Sequence, residues 1–271
     1  MSLTRFATRT AALVLAVAAV GSAVATVATG RDVVAPVEDG VTVVAEAIMA
    51  STPFEQAATA SAAAATTAGA AAAATPGCQD KRYALAEWRM PATFTWYYNP
   101  AGAPASVAAT ALPTIKSATT TLFTAGSRCG SATTLVTKDV FGGTSPKAAQ
   151  VSPKGTCTGN DNVSVTSWGT LPASVLAYTC VYYRTGSKTV LSSDVLIDNK
   201  VHKWFTTKPA GCSNQFDLES VMVHERGHTA GLEHVAQNSA QTMTPKTPAC
   251  TTANRALAAG DVQGLKAMYA A

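Results

Sequence analysis

Three of the four histidines in this 271-residue chain lie within the segment H-E-R-G-H-T-A-G-L-E-H, which runs from His224 to His234. His224 and His228 are four residues apart, so on a helix their imidazoles would lie on one face and could bind one metal ion. Glu225 follows the first histidine, where its carboxylate could reach a water molecule on that metal. The spacing therefore predicts a metal-dependent hydrolytic site.

The third histidine requires a break in that helix. On a continuous helix, His234 would be rotated by about 240° from His228 and displaced by about 9 Å, so it would face away. Gly231 lies between them, and glycine accepts the left-handed conformation that commonly ends a helix. We therefore predict that the helix ends near Gly231 and that the chain turns back to bring His234 to the metal.

Three neutral imidazoles with a water in the fourth position are typical of catalytic zinc, and a site without cysteine favours zinc over iron–sulfur chemistry. Zinc lowers the pKa of its water to about 7, and Glu225 could accept that proton and pass it to a leaving amine. The predicted reaction is peptide hydrolysis. The alternative is a chance cluster of surface histidines, but the glycine and the third histidine at the required spacing argue against it.

The elements around this segment must hold it in place. Asp217 can cap the helix that carries the histidines, and apolar residues follow it as a buried stripe. Further helices are predicted at 106–123, where Pro113 could delay the start or kink the helix, and at 261–269. The strands predicted from β-branched and aromatic residues are 93–98, 176–183 and 194–198. Strands followed by helices that flank the chemistry predict an α+β domain.

The N-terminus has the features of a secretory signal peptide. Arg5 and Arg9 precede an uncharged apolar run, and the small residues Ala23-Val24-Ala25 follow it. We predict a signal peptide over residues 1–28, a secreted extracellular protein and no stable membrane span after processing. A membrane anchor is the alternative, because the uncharged stretch has about the minimum length that spans a bilayer.

Residues 29–77 form an acidic stretch followed by a tract of alanine and threonine at 57–74. Such residues bury too little apolar area to offset the entropy of ordering them, so we expect this leader to contribute no core. A linker, a tether and a cleavable propeptide are the alternatives. The composition changes at Pro76-Gly77-Cys78, and residues 78–271 suit one domain. Basic runs with interleaved aromatics are missing, so we expect no nucleic-acid partner, and we expect a monomer.

All six cysteines lie in that domain. An even number of cysteines in an exported chain predicts disulfides, although sequence order leaves several pairings open. We favour three pairs of neighbours along the chain, which are Cys78 with Cys129, Cys157 with Cys180, and Cys212 with Cys250. The last pair would hold the histidine segment to the chain that follows it.

These residues resemble the metzincin zinc metalloproteases and, within that clan, the small secreted matrixin-like proteases of bacteria. The motif H-E-x-x-H-x-x-G-x-x-H is carried by His224, Glu225, His228, Gly231 and His234. Residues 241–245 are similar to the Met-turn of the family, and residues 260–269 are similar to the closing helix of matrixins. The resemblance covers residues 78–271 and is most specific after Asp217.

The resemblance implies a metzincin-like catalytic domain, with a twisted mixed sheet, an active-site helix, a C-terminal helix and one catalytic zinc. Met243 would form an apolar floor beneath the metal without ligating it; an ordinary core methionine is the alternative. The edge strand of the cleft would come from residues 195–205, where an extended polypeptide substrate could pair as an added strand. Residues 244–248 would form part of the wall of the specificity pocket.

Several residues depart from the family pattern. Val235 and Thr244 replace residues that are common in matrixins, and Arg226, where an apolar residue is usual, is expected to face solvent. Cys78 is similar in position to the propeptide cysteine that blocks the zinc of matrixins. That use would leave an odd number of cysteines, so we favour the disulfide.

Other metal sites have less support in the sequence. The second, structural zinc of vertebrate matrixins needs several histidines and only His202 remains, so we expect that zinc to be missing and His202 to be a surface or strand residue. Asp161, Asp194 and Asp198 are weak candidates for calcium, because they lack a loop pattern.

The leading hypothesis is a secreted zinc metalloendopeptidase that acts on extended polypeptides. One alternative is a secreted zinc-binding module that presents the cleft without turnover, but such a module would not need Glu225. The other alternative is a hydrolase of a non-protein amide, such as a cell-wall cross-link, and the motif leaves that open.

Overall fold

The computed structural model describes residues 32–38, 40–52, 55–56, 75–130 and 132–269. The predicted signal peptide (1–28) and the alanine-rich tract (57–74) lie outside the described residues. None of the helices in the described part of the chain has the length and apolar character needed to cross a bilayer.

The fold is built on one mixed sheet. In chain order the strands are β1 (Asp32–Glu38), β2 (Val41–Ala50), β3 (Ala84–Leu85), β4 (Thr93–Tyr98), β5 (Lys138–Thr144), β6 (Ser164–Gly169), β7 (Val175–Arg184), β8 (Val190–Asp198), β9 (Lys203–Phe205), β10 (Gln215–Asp217), β11 (Leu232–Glu233) and β12 (Lys246–Thr247). The main sheet has the order β1-β2-β7-β8-β6-β4-β5, and β12 pairs with β2. Strands β5, β4, β6 and β8 are parallel, whereas β7 is antiparallel to both neighbours.

Among the residues that the structure describes, three α-helices of eleven to thirteen residues pack with the sheet: α1 (Ala111–Phe123), α2 (Leu218–Thr229) and α3 (Ala259–Tyr269). A mixed sheet with three helices is the predicted α+β class. Helix α1 begins five residues later than predicted, and Pro113 lies in its first turn, where the missing N–H costs no bond within the helix. Helix α2 begins as predicted, because the side chain of Asp217 accepts a hydrogen bond from the backbone N–H of Ser220.

The leader contributes a strand to the core. Strand β2 pairs antiparallel with β7 from Val41 opposite Arg184 to Met49 opposite Val175, with one register shift near its end. Val43, Val44 and Ile48 of β2 are buried. The expectation that residues 29–77 build no core is therefore wrong for residues 41–50, because their β-branched side chains bury apolar area that the alanine tract lacks. The leader's role as a propeptide stays a prediction.

Strand β7 of the main sheet, not the segment 195–205, packs beside α2, and it lies between β2 and β8. Strand β8 ends at Asp198 and lies inside the sheet between β7 and β6, so the predicted edge position is wrong for residues 195–198. Residues 203–205 form β9, which pairs with β10 outside the main sheet. The backbone edge of β7 that faces away from β8 is covered by β2. Both β7 and β8 are buried along almost their whole length, so both have nearly continuous apolar sequences. The sequence pattern therefore does not distinguish β8, inside the sheet, from β7, beside the histidines.

The structure contains three disulfides with the pairing favoured from the sequence: Cys78–Cys129, Cys157–Cys180 and Cys212–Cys250. Cys180 lies in β7, so the second bridge attaches the loop before β6 to the strand beside the cleft. Cys78 is disulfide-bonded, so it presents no free thiolate to a metal.

Arg226 is fully buried, so the expectation that it faces solvent is wrong. Its Nε donates to the hydroxyl of Thr119 at 3.2 Å, and its Nη2 donates to the hydroxyl of Thr166 at 2.9 Å. The guanidinium lies 4.6 Å from the ring centroid of Trp96. Arg226 does point away from the histidines, but that face of α2 packs against α1 and the sheet. Burial lowers the pKa of this guanidinium to about 10.

The burial of Arg226 generates a test of stability. Its hydrogen-bond partners are the neutral hydroxyls of Thr119 and Thr166, and its charge acts on Asp139 and Glu225 without a direct ion pair. Arg226→Met therefore removes a buried charge without breaking an ion pair. We expect Arg226→Met to leave the free energy of unfolding unchanged or to raise it by about 1–4 kcal/mol. Arg226→Ala should lower it by about 2–5 kcal/mol because it opens a cavity. Urea unfolding with the disulfides intact measures both, and equal destabilisation by the two substitutions would contradict this account.

Candidate metal centre

The imidazoles of His224, His228 and His234 converge on one point. The Nε2 atom of His224 lies 3.0 Å from that of His228 and 3.1 Å from that of His234, and the third pair is 3.2 Å apart. Within the part of the chain that the structure describes, this is the one group of three or more His, Cys, Asp or Glu side chains arranged to hold a metal ion.

Gly231 produces the predicted reversal of the chain. Helix α2 ends at Thr229, and Gly231 has φ +89° with its N–H donating to the carbonyl of His228 at 2.9 Å. A Cβ at this position would lie 2.7 Å from the carbonyl oxygen of Trp88, so a larger residue would clash as well as adopt a strained backbone. After the turn, β11 pairs with β3 and leads directly to His234.

Backbone carbonyls orient two of the three rings. His224 Nδ1 lies 2.8 Å from the carbonyl oxygen of Thr242, and His228 Nδ1 lies 2.9 Å from that of Leu232. A carbonyl only accepts, so in each ring Nδ1 carries the proton and Nε2 presents a lone pair. Burial lowers the pKa of His224 to about 3 and that of His234 to about 4, which keeps both rings neutral.

The donor set fits zinc. Three lone pairs at 3.0–3.2 Å from one another repel unless a cation lies between them. Zinc–nitrogen bonds of about 2.0–2.1 Å in a tetrahedron place the nitrogens about 3.3 Å apart, which is close to the observed separations. Three nitrogen donors leave a fourth position for water or substrate, as in catalytic zinc sites.

Met243 is buried beneath the helix that carries the histidines. A Cβ at Gly227 would lie 2.3 Å from the Met243 sulfur, so the methionine packs where Gly227 leaves space on the helix. The sequence predicted the methionine floor from the resemblance alone and missed Gly227. Only the distance between α2 and the following turn reveals why this helix position is a glycine.

Asp261 is a second residue that sequence reasoning missed. Its buried carboxylate accepts hydrogen bonds from the backbone N–H of Thr242 at 2.8 Å and of Met243 at 3.3 Å. It therefore holds the turn whose Thr242 carbonyl orients His224. In the sequence, Asp261 is only the first residue of the predicted helix at 261–269, and an acidic residue there would ordinarily interact with the helix N-terminus.

Glu225 is fully buried beside the histidines. The hydroxyl of Thr179, on β7, donates to Oε2, whereas Oε1 has no protein hydrogen-bond partner. Burial raises the pKa of Glu225 to about 8, and Thr179 and the backbone N–H of Ile48 act in the opposite direction. A cation held by the adjacent imidazoles would favour the ionised carboxylate.

Strand β2 reaches this site from the leader. Glu46 Oε2 lies 3.7 Å from Nδ1 of His234, and the backbone N–H of Ile48 faces the carboxylate of Glu225. Neither residue was a sequence candidate, because both lie in the segment that was expected to build no core. The signal available was the strand pattern of residues 41–50, whose partner in the fold cannot be read locally.

The remaining metal candidates are held by other contacts. His202 Nδ1 lies 3.0 Å from Asp198 Oδ2. Asp194 accepts backbone N–H groups through both oxygens, and Asp161 pairs with Lys147. These three carboxylates bind donors of the protein separately and do not form a common site, so calcium gains no support.

Comparison with known families agrees with this geometry. The sequence profile of the matrixin family matches residues 171–270, which include β7, the three converging histidines, Glu225, Met243 and helix α3. A search of curated proteins found no match. The match over residues 171–270 and the three converging histidines are thus consistent with a matrixin-like metzincin.

Proposed function

We propose that the protein is a secreted zinc-dependent endopeptidase. The matrixin match supports a zinc-dependent metallopeptidase at the level of the family. The observation that carries the proposal is the convergence of three Nε2 atoms, 3.0–3.2 Å apart, beside the buried carboxylate of Glu225. In this proposal His224, His228 and His234 hold the zinc.

A bound zinc ion would supply a water molecule of lowered pKa and polarise the carbonyl of the scissile bond. Glu225 provides the proton transfers. Thr179 fixes Oε2 and leaves Oε1 available to accept a proton from that water. Glu225 then donates the proton to the nitrogen of the leaving amine. The site is shielded from bulk water, which strengthens these interactions.

Strand β7 supports an extended polypeptide as the substrate. Thr179 of β7 donates a hydrogen bond to Glu225, so the outer edge of β7 lies beside that carboxylate. Strand β2 is already paired with this edge in an antiparallel arrangement. A peptide in the same place would gain a ladder of backbone hydrogen bonds that needs no particular side chain. The retained, oriented Glu225 favours turnover over a role that is limited to binding.

Glu225→Gln tests the proton transfer. The amide keeps the size of the side chain but cannot accept and return the proton, so we expect hydrolysis of an unfolded protein to fall by about 10²–10⁴-fold. Zinc content, measured by elemental analysis, should stay at one ion per chain. The matched control is Glu219→Gln on the same helix, whose carboxylate contacts Arg255 and Ser117 rather than the site. Equal loss of hydrolysis in the control would contradict the assignment.

Zinc binding should also appear as stability, independently of activity. Because zinc would bind the assembled site of the folded protein and not the unfolded chain, zinc at about 100 times its dissociation constant should raise the free energy of unfolding by about 3 kcal/mol. A chelator should reverse that gain. His228→Gln should abolish the zinc-dependent gain, whereas His202→Gln should keep it. Denaturant titrations with and without zinc measure the difference, and a gain that survives His228→Gln would refute the proposed ligand set.

A further inference from the structure

Strand β2 fills a groove between two parts of the proposed peptidase site. On one side it is antiparallel to β7, and on the other it is parallel to β12. The backbone N–H of Met49 donates to the carbonyl of Pro245, and that of Ser51 donates to the carbonyl of Thr247, each at 2.9 Å. The segment 245–247 lies in the region expected to form the wall of the specificity pocket. The chain's own strand therefore takes the place of an extended peptide.

The position of β2 along the groove identifies one peptide bond. The side chain of Glu46 lies against His234, and Glu46 is paired with Thr179, whose hydroxyl donates to Glu225. The backbone N–H of Ile48, two residues further along β2, is directed at the same carboxylate. The peptide bond between Ala47 and Ile48 thus has its nitrogen beside the group that would protonate a leaving amine. A hydrolytic site needs this placement of base and nitrogen.

The side chains on either side of that bond differ in burial. Ile48 is only 1% exposed and belongs to the same buried apolar cluster as Val221 and Met243, whereas Ala47 is half-buried. The side chain of Ile48 enters the apolar interior beside helix α2, and this fixes the register of β2. A slip by one residue would bring Ala47 or Met49 into that apolar position instead.

We propose that the bond between Ala47 and Ile48 is a self-processing site and that β2 is the first substrate of this protein. The inference rests on the proposed peptidase function. In the reaction the water oxygen bonds to the carbonyl carbon of Ala47, and the bond to the Ile48 nitrogen breaks. Glu225 carries one proton of the water to that nitrogen. The products are a carboxylate at Ala47 and an α-ammonium group at Ile48.

Processing at this bond opens the groove. Intact β2 excludes any other peptide, because it already occupies the backbone edges of β7 and β12. Hydrolysis divides one ten-residue strand into two short segments, each with fewer hydrogen bonds to the groove. Residues up to Ala47 act as a removable propeptide that needs no cysteine at the metal.

Mass spectrometry of the full chain, incubated with zinc, tests the inference directly. We expect a fragment that ends at Ala47 and a new N-terminus at Ile48 in the wild type and in Glu219→Gln. Neither product should appear in Glu225→Gln. Hydrolysis of an added unfolded protein, measured in the same samples, should rise as the products of self-processing accumulate.

A pair of substitutions tests the register. Ile48→Asp places a carboxylate in the apolar interior, so we expect cleavage after Ala47 to slow by about tenfold or more. Thr42→Asp introduces the same side chain at a half-buried position of β2 and should keep the cleavage. Fragment mapping of the wild type needs neither variant, so the test stands even if Ile48→Asp does not fold.

The other outcomes separate this inference from the proposed function. An intact bond in a wild type that hydrolyses added protein overturns self-processing and leaves the peptidase in place. Cleavage elsewhere in β2 that depends on Glu225 overturns the register. Cleavage after Ala47 that persists in Glu225→Gln assigns it to a different protease. Zinc binding with neither self-cleavage nor hydrolysis of added protein overturns both proposals.

Discussion

The structure depends on bringing three imidazole lone pairs to one point. Neutral nitrogens at 3.0–3.2 Å repel one another, so each ring must be held there until a cation offsets the repulsion. Backbone carbonyls do this for His224 and His228, and both carbonyls come from chain reversals. The turn at Gly231 supplies one, and the turn held by Asp261 supplies the other. The centre is thus built by backbone geometry rather than by side-chain packing alone.

The same requirement explains why helix α2 is buried on all sides. One face presents His224, His228 and Glu225 to the cleft, and the opposite face places Arg226 against α1 and the sheet. Sequence patterns assume that a helix has a solvent face, and a charged residue opposite a metal site is normally assigned to it. That assumption fails for Arg226, since hydroxyl groups and an aromatic ring take the place of water around its guanidinium.

Sequence patterns among neighbouring residues predicted most of the metal centre. They did not predict the pairing of strands that are distant in the sequence. Histidine spacing, the Asp217 cap and the glycine turn depend on neighbours in the chain, so their geometry follows from the sequence. Strand β2 depends on a partner more than a hundred residues away, and the acidic, alanine-rich leader around it concealed its apolar pattern. Asp261 accepts a hydrogen bond from Thr242, and Glu46 lies against His234. Both contacts join residues that are distant in the sequence, so no spacing rule could have identified them.

Strand β2 also protects the backbone edge of β7, which the proposed peptidase function requires to be able to bind a peptide. A strand that can bind any extended peptide through its backbone has an open edge, and open edges pair with other chains and aggregate. Strand β2 covers that edge in the folded chain. Strand β7 remains anchored without it, because β8 pairs along its other edge and the Cys157–Cys180 disulfide attaches it to the preceding loop. Strand β7 can therefore keep its position when β2 is removed. A strand held in place by β2 alone could not.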